Sequence, residues 1–402
     1  MEASTPFSNI PNEIIGLILL QLPMKSVLRC MCVCKQWRSL IDDDSDFKLS
    51  YRGKQRVIIL SLDSKSQDRN WNSRFLVVRS TSHDSRLRRH ELPFGEAAYP
   101  LINRASDVSS LCSCNGLVLL MAKRDILLWN PSTRCLTKVL ETPYPEELNL
   151  VLLGGLCYDS CTRDYKAVLS IRPLIRPDLE FGNPFVISTS FNHKEWRSVQ
   201  FPYNLHSARG GVEFRDTFHW WASDIKNWRR DMDYFSGGNR NRILYFDPVH
   251  DEFKILPTLE PRQNFSIVGL GVIDDCLSMT CMVHNQKNAK STTIQVLIMK
   301  EYGIQESWMI AFAIQMPQYP YDCASYSLTF YSQKNNAQEV LFLHTMNWFW
   351  GKVYIYDRKK DELREVLMDF SKNNPVRRIS CVSMCFYVES LASLPLQPHM
   401  IN

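Results

Sequence analysis

The sequence predicts a multidomain chain: a small all-α unit of three helices over residues 1–50, then a large all-β domain over residues 51–402, read as an irregular six-bladed propeller. Three observations predict it. Up to about residue 50, apolar residues recur three and four positions apart, the helical period. Beyond it, short runs of Val, Ile, Leu, Phe and Tyr alternate with turns of Asn, Asp, Gly and Pro. Those runs come back as a unit every 50–60 residues or so, a period that suits blades of several antiparallel strands.

The helical part opens at Pro11-Asn12, where proline suits a helix start and asparagine can cap orphan amides. Ile14, Ile18 and Leu22 form one stripe, Ile15 and Leu19 a second beside it, and Leu17 and Leu20 widen the apolar surface. Pro23 stops the helix. A second helix is expected from Lys25 through Cys34, and a third with Trp37, Leu40 and Ile41 before the acidic stop Asp42-Asp43-Asp44. A unit this small buries too little surface to be stable alone. Its first helix is apolar almost all round, so its two neighbours cover one face and leave another. Each large aliphatic side chain left in water forgoes roughly 1.5–3 kcal/mol. Either the chain's own second domain or another protein must cover that face, and periodicity does not choose between them.

The strings Ile10-Pro11-Asn12-Glu13-Ile14-Ile15, Leu22-Pro23, Lys25-Ser26-Val27 and Val33-Cys34-Lys35-Gln36-Trp37-Arg38-Ser39-Leu40-Ile41 resemble the F-box of plant F-box proteins. Ile10 stands where leucine is more usual and Asn12 where aspartate is, and neither change removes apolar surface. The resemblance implies a three-helix unit that binds a Skp-family adaptor and, through it, a cullin. It implies an adaptor-binding face of Pro11, Ile14, Ile18, Leu22, Pro23, Leu28, Val33 and Trp37, each of which also reads as ordinary helical core.

In the second part, Gly116–Leu120, Ile126–Pro131 and Leu136–Val139 make one clear unit. Thr217–Trp221, Ile243–Pro248 and Phe253–Leu256 make another, and Val340–Leu343, Val353–Asp357 and Leu363–Val366 a third. Weaker copies hold Phe185–Ile187 with Glu195–Val199, and Ile294–Leu297 with Ser307–Ile310. Taking Leu127, Val186, Leu244, Val296 and Val353 as equivalent, the steps are 59, 58, 52 and 57 residues. Opening strands at Val57–Leu60 and Phe75–Val78 make six units, with Cys381–Val388 completing the first. A pair of sandwiched sheets is the alternative architecture. Asn-Pro and Asp-Pro pairs mark turns.

The islands Ser113–Val118, Leu128–Arg134, Gly155–Asp159 and Tyr387–Leu391 resemble the kelch-like, type 1 F-box-associated domain of plants. That resemblance implies a platform that selects a protein substrate, and with the F-box it implies the substrate-recognition subunit of a Skp–cullin–F-box ubiquitin ligase. The alternative is an F-box interaction protein acting outside the ligase.

Composition limits the other classes. With 45% apolar and 22% charged residues the chain reads as globular, and a net charge of +5 without a basic block does not argue for nucleic acid. Met1–Pro6 has no secretory pattern, and Ile14–Leu22, broken by Gly16 and Gln21, falls short of the 20 or so residues a membrane span needs. The expected location is cytoplasm or nucleus, with no membrane partner. Thirteen cysteines without C-x-x-C spacing read as reduced, core-filling thiols, and the scattered histidines form no metal pair. No G-x-S-x-G, P-loop, H-E-x-x-H or dinucleotide fingerprint occurs, so no catalytic residue and no cofactor is expected.

One segment, Trp220 to Arg242, has the composition of a binding loop. Trp228, Arg229, Arg230, Tyr234 and Phe235 are the candidate substrate-binding residues there, since tryptophan, tyrosine and arginine dominate interface energetics. Trp220 and Trp221 read equally well as strand core. Arg86, Arg88, Arg89 and His90 form a basic cluster that reads as a solvated turn.

Overall fold

The computed structural model describes residues 10–64, 71–78, 108–122, 124–144, 149–173, 182–203, 205, 208–223, 241–259, 265–283, 292–316, 327–333, 336–346, 350–365 and 380–393. Four helices open it, one more than expected: α1 (Asn12–Leu20), α2 (Met24–Cys30), α3 (Lys35–Asp42) and α4 (Ser45–Ser50). The acidic run does not end the helical part. Asp44 caps α4, its Oδ1 accepting from the amides of Asp46 and Phe47 at 2.9 Å, and Phe47 is thereby turned into the core. Acidic residues at a helix start cap as readily as they stop.

Two other boundaries move for similar reasons. Asn12 caps nothing. It lies inside the first turn of α1, and its Oδ1 accepts from Gln36 Nε2 at 2.6 Å, tying α1 to α3. The second helix ends at Cys30, because Met31–Val33 turn and Cys34 becomes the extended cap of α3, its Sγ accepting from the Trp37 amide. Ile15, Leu19, Met24, Val27, Ile41, Phe47 and Tyr51 fill the helical core.

Six antiparallel units follow. The first is three-stranded, with β1 (Gln55–Ser64) between β2 (Trp71–Val78) and the C-terminal β23 (Ser380–Val388). The second holds β3 (Val108–Cys114), β4 (Leu117–Ala122), β5 (Asp125–Asn130) and β6 (Cys135–Glu141). The third holds β7 (Asn149–Asp159), β8 (Asp164–Pro173), β9 (Phe185–Ser190) and β10 (Arg197–Val199). The fourth runs β11 (Arg209–Phe214), β12 (Thr217–Ser223), β13 (Asn241–Asp247) and β14 (Glu252–Leu256). The fifth has β15 (Phe265–Ile273), β16 (Cys276–Val283), β17 (Thr292–Met299) and β18 (Trp308–Met316). The sixth has β19 (Ser327–Gln333), β20 (Asn336–Met346), β21 (Trp350–Asp357) and β22 (Glu362–Glu365). A parallel pairing of Val272 with Tyr331 joins the fifth and sixth into one sheet.

Each equivalent point of the sequence repeat lies on the third strand of its unit: Leu127, Val186, Leu244, Val296 and Val353 on β5, β9, β13, β17 and β21. These strands lie between a second and a fourth strand. Strand β5 is buried at every position, while the outer β6 is mostly exposed. First strands approach one another at the centre.

The turns repeat as well. After the third strand, the residue four positions past its last one adopts positive φ in five units: Arg134 (64°), Lys194 (60°), Asp251 (55°), Gly303 (89°) and Asp361 (53°). In three of them the strand's last residue holds the turn as Asn or Asp. Asn130, Asp247 and Asp357 each accept through Oδ1 from the amides two and three residues on. Asp274 and Asp275 are turn residues too, both at positive φ in the tight β15–β16 hairpin, as Asn115-Gly116 and Arg215-Asp216 are in theirs.

The helices are joined to the β-region through the C-terminal segment. Gly53 donates to the Glu389 carbonyl at 2.7 Å, the Glu389 amide returns a bond to Lys54 at 2.9 Å, and Arg56 holds the Glu389 carboxylate. Asn130 Nδ2 then donates to the carbonyls of Ser390 (3.0 Å) and Ala392 (2.8 Å), both residues buried. Gly116, at φ 78°, abuts the same segment, and a Cβ there would collide with the Val388 carbonyl and the Ser390 hydroxyl. Between those anchors Leu391 reaches into the helical core. Asn130→Ala removes two buried bonds and a turn, so it is expected to cost about 2–3 kcal/mol, read as a lower urea midpoint of the full chain.

Candidate docking face

Helix α1 divides its apolar residues between two sides. Ile15 and Leu19 are 3% and 1% exposed and pack on α2, α3 and Leu391. One position away, Ile14, Leu17 and Ile18 are 46%, 60% and 52% exposed, and their i, i+3, i+4 spacing aligns them along one stripe. Val33, in the turn between α2 and α3, is 63% exposed. The helical core is already closed by α2–α4, Tyr51 and Leu391, so among the described residues nothing of the β-region covers this stripe. Exposed apolar surface of this kind makes the stripe a candidate docking site.

The residues proposed for this face separate accordingly. Pro11, Ile14, Ile18, Pro23 and Val33 lie on the surface. Leu22, Leu28 and Trp37 are half-buried against the helical core, and the Leu22 carbonyl accepts from the Tyr51 hydroxyl at 2.8 Å. Leu17, expected only to widen the apolar surface, shares the exposed stripe with Ile14 and Ile18. Lys25, Arg29, Lys35 and Arg38 are exposed on α2 and α3, and Glu13, Asp42, Asp43, Asp44 and Asp46 are exposed in the same unit, so its surface carries both signs of charge.

Two domain profiles match the chain, the F-box domain over residues 7–49 and the F-box associated beta propeller domain over residues 72–394. The chain belongs to the F-box proteins with an associated β-propeller domain. Its relatives include F-box protein CPR1 of Arabidopsis thaliana, 27% identical over 340 residues, covering 77% of this chain and 74% of that one. F-box/kelch-repeat protein At3g23880 of Arabidopsis thaliana is 30% identical over 319 residues, covering 75% and 78%. Among solved structures, TolB from Acinetobacter baumannii is similar with a TM-score of 0.43 at 11% identity, covering 82% of this chain and 66% of that one.

In this F-box protein, Trp220 and Trp221 are strand core, 1% and 5% exposed on β12. The substrate-binding candidates Trp228, Arg229, Arg230, Tyr234 and Phe235 lie outside the described residues, as do Arg86, Arg88, Arg89 and His90.

Two clusters of metal-ligand type occur among the described residues. In one, Asp247 uses Oδ1 for its turn, while Oδ2 accepts from His250 Nδ1 and Lys254. Those bonds hold its carboxyl below the usual range against the opposing effect of burial. The other joins Cys114, Glu213 and Asp216. Burial pushes the Cys114 thiol well up, and burial with Asp216 nearby raises Glu213 to about 7. Metal ligation needs the deprotonated forms, which this site disfavours.

Two predictions follow from this geometry. Ile14→Ser and Ile18→Ser change exposed positions and are expected to shift unfolding by less than about 0.5 kcal/mol. Leu19→Ala, on the other side of the helix, is expected to cost about 2–5 kcal/mol, with both read by chemical denaturation. The second concerns pH. A carboxyl whose folded pKa lies above its unfolded value binds more protons when folded, so its stability contribution is lost as pH rises between the two values. Urea midpoints of the wild type are therefore expected to fall from about pH 5 to about pH 8 more steeply than those of Glu213→Gln.

Proposed function

We propose that this chain is the substrate-recognition subunit of a Skp–cullin–F-box ubiquitin ligase, non-catalytic itself, acting in the cytoplasm or nucleus. The observation that carries the reading is the exposed Ile14–Leu17–Ile18 stripe on α1, presented by a unit that matches the F-box domain. A Skp-family adaptor is the partner for that stripe, and a cullin joins through the adaptor. The β-domain holds a target protein beside the ubiquitin-charged enzyme. Its contribution is effective concentration, which turns a diffusional encounter into a near-intramolecular event.

The anchoring of the helices to residues 389–393 supports this reading, because a target held by the β-region keeps a defined distance from the adaptor only if that joint does not swing. Lys48 Nζ donates to Ser393 Oγ at 3.2 Å and Arg52 Nη2 to Asn115 Oδ1 at 2.6 Å, adding to the bonds at Glu389.

The test is co-purification of the full chain with a Skp-family adaptor. Ile14→Asp with Ile18→Asp is the clean variant, since Leu22 belongs partly to the core. The pair is expected to weaken adaptor binding by more than about a hundredfold while the β-region stays folded. Undiminished binding by the folded variant would remove α1 as the docking element. Adaptor binding without any change in target lifetime would favour a role outside the ligase.

A further inference from the structure

Among the described residues β6, β10, β14, β18 and β22 each end a sheet or a unit, and four of these five carry the devices that prevent an edge from pairing. Strand β6 has Lys138 and Glu141, and β14 has Glu252 and Lys254. Strand β10 is three residues long and begins with Arg197, and β22 is four residues long with Glu362 and Arg364. Strand β18 differs from all of them. It is nine residues long, Trp-Met-Ile-Ala-Phe-Ala-Ile-Gln-Met, with no charge and no proline. It ends its sheet, and among the described residues β17 is its one strand partner.

The edge is exposed and held in place. Met309 and Ile310 are 48% and 52% exposed, and Ala313 is exposed. Trp308 anchors one end by donating its indole N–H to the Pro257 carbonyl at 3.0 Å, and Ile314 is buried toward the other. Between them Phe312 stacks on Tyr356 at 5.3 Å. A rigid strand of this length offers a row of backbone donors and acceptors at no ordering cost.

We propose that β18 takes an extended segment of the target protein as an added antiparallel strand. This rests on the receptor reading above and names the surface and the class of ligand. The segment is uncharged along its length, with small or β-branched apolar residues to lie against Met309, Ile310 and Ala313. Its C-terminal flank is basic. Antiparallel addition brings that flank to the start of β18, where Glu301 and Glu306 are exposed and outnumber Lys300. A second copy of β18 does not supply it, because Gln315-Met316 is followed by Pro317-Gln318 and the next charge is Asp322.

The experiment uses the full chain bound to its Skp-family adaptor and a fluorescent peptide of four Thr-Val repeats ending in two lysines. It is expected to bind and to slow amide exchange over 308–316. N-methylation of alternate peptide amides is expected to weaken it at least about tenfold, since backbone bonds supply the affinity in strand addition. Replacing the two lysines by glutamates is expected to weaken it at least about threefold. On the protein, Met309→Lys with Ile310→Lys, and separately Ala313→Lys, are expected to lose at least about tenfold in peptide affinity while keeping the adaptor. Unchanged urea midpoints and circular dichroism show that the variants' β-region is folded, and retained adaptor binding separates this inference from the receptor reading, which fails only if the adaptor is lost from the wild type. Equal affinity for the N-methylated peptide, unchanged binding in the variants, or no binding by the adaptor-loaded wild type would overturn the proposal. So would a dimer of the wild type that the variants abolish, since a second copy would then occupy the edge.

Discussion

The side-chain amide of Asn130 donates to the carbonyls of Ser390 and Ala392, and much of what joins the helices to the β-region depends on that contact. Residues 386–393 form no sheet with the second unit, so their polar groups need partners of another kind. Ser113 donates to the Phe386 carbonyl, the Ser390 amide donates to Ser132, and Gly116 leaves room for the backbone to pass. Leu391 is then free to enter the helical core beside Tyr51. Burying a backbone carbonyl without a partner costs about 1–3 kcal/mol, so each of these bonds is needed for the passage to be stable. The same segment pairs with β1 through β23 and so also completes the first unit. One stretch of chain thus completes the first unit and carries the helices.

That arrangement decides which apolar surface remains for a partner. The helical unit is too small to be stable alone, and Tyr51 and Leu391 complete its core from outside α1–α4. They do so on the side of Ile15 and Leu19, which leaves Ile14, Leu17 and Ile18 in water on the other. The chain's own linker and tail cover one face of the first helix, and among the described residues the second face stays uncovered. Buried Tyr51 has its hydroxyl pushed up to about 12 by burial and by Glu389, so it stays a neutral donor to Leu22 across the physiological range.

Much of this was legible in the residues because burial and period coincide. The two α1 stripes separate cleanly at four-residue spacing, and the third strands recur at a near-constant interval of 52 to 59 residues. Where the reading slipped, polar residues had two possible jobs. Asp44 is equally a stop and a cap, and choosing needs the knowledge that Phe47 has a core to enter. Asn12 resembles a cap but reaches Gln36, a partner 24 residues away. Trp37 and Leu28 match the docking motif, yet they are half-buried, and no spacing rule distinguishes a residue that touches a partner from one that supports the residue beside it. The positive-φ turn positions were hidden because four of the five are Arg, Lys or Asp where glycine would have marked them. The recognition edge at β18 was the least legible, since its meaning comes from the charges on the other outer strands.

The central claim is that α1 docks a partner on the face its own core leaves uncovered. Amide hydrogen exchange of the full chain, with and without a Skp-family adaptor, tests it most directly. The account predicts slowed exchange in residues 12–22 and 30–36, with the β-region unchanged. Protection confined to the β-region, with α1 exchanging as before, would contradict it.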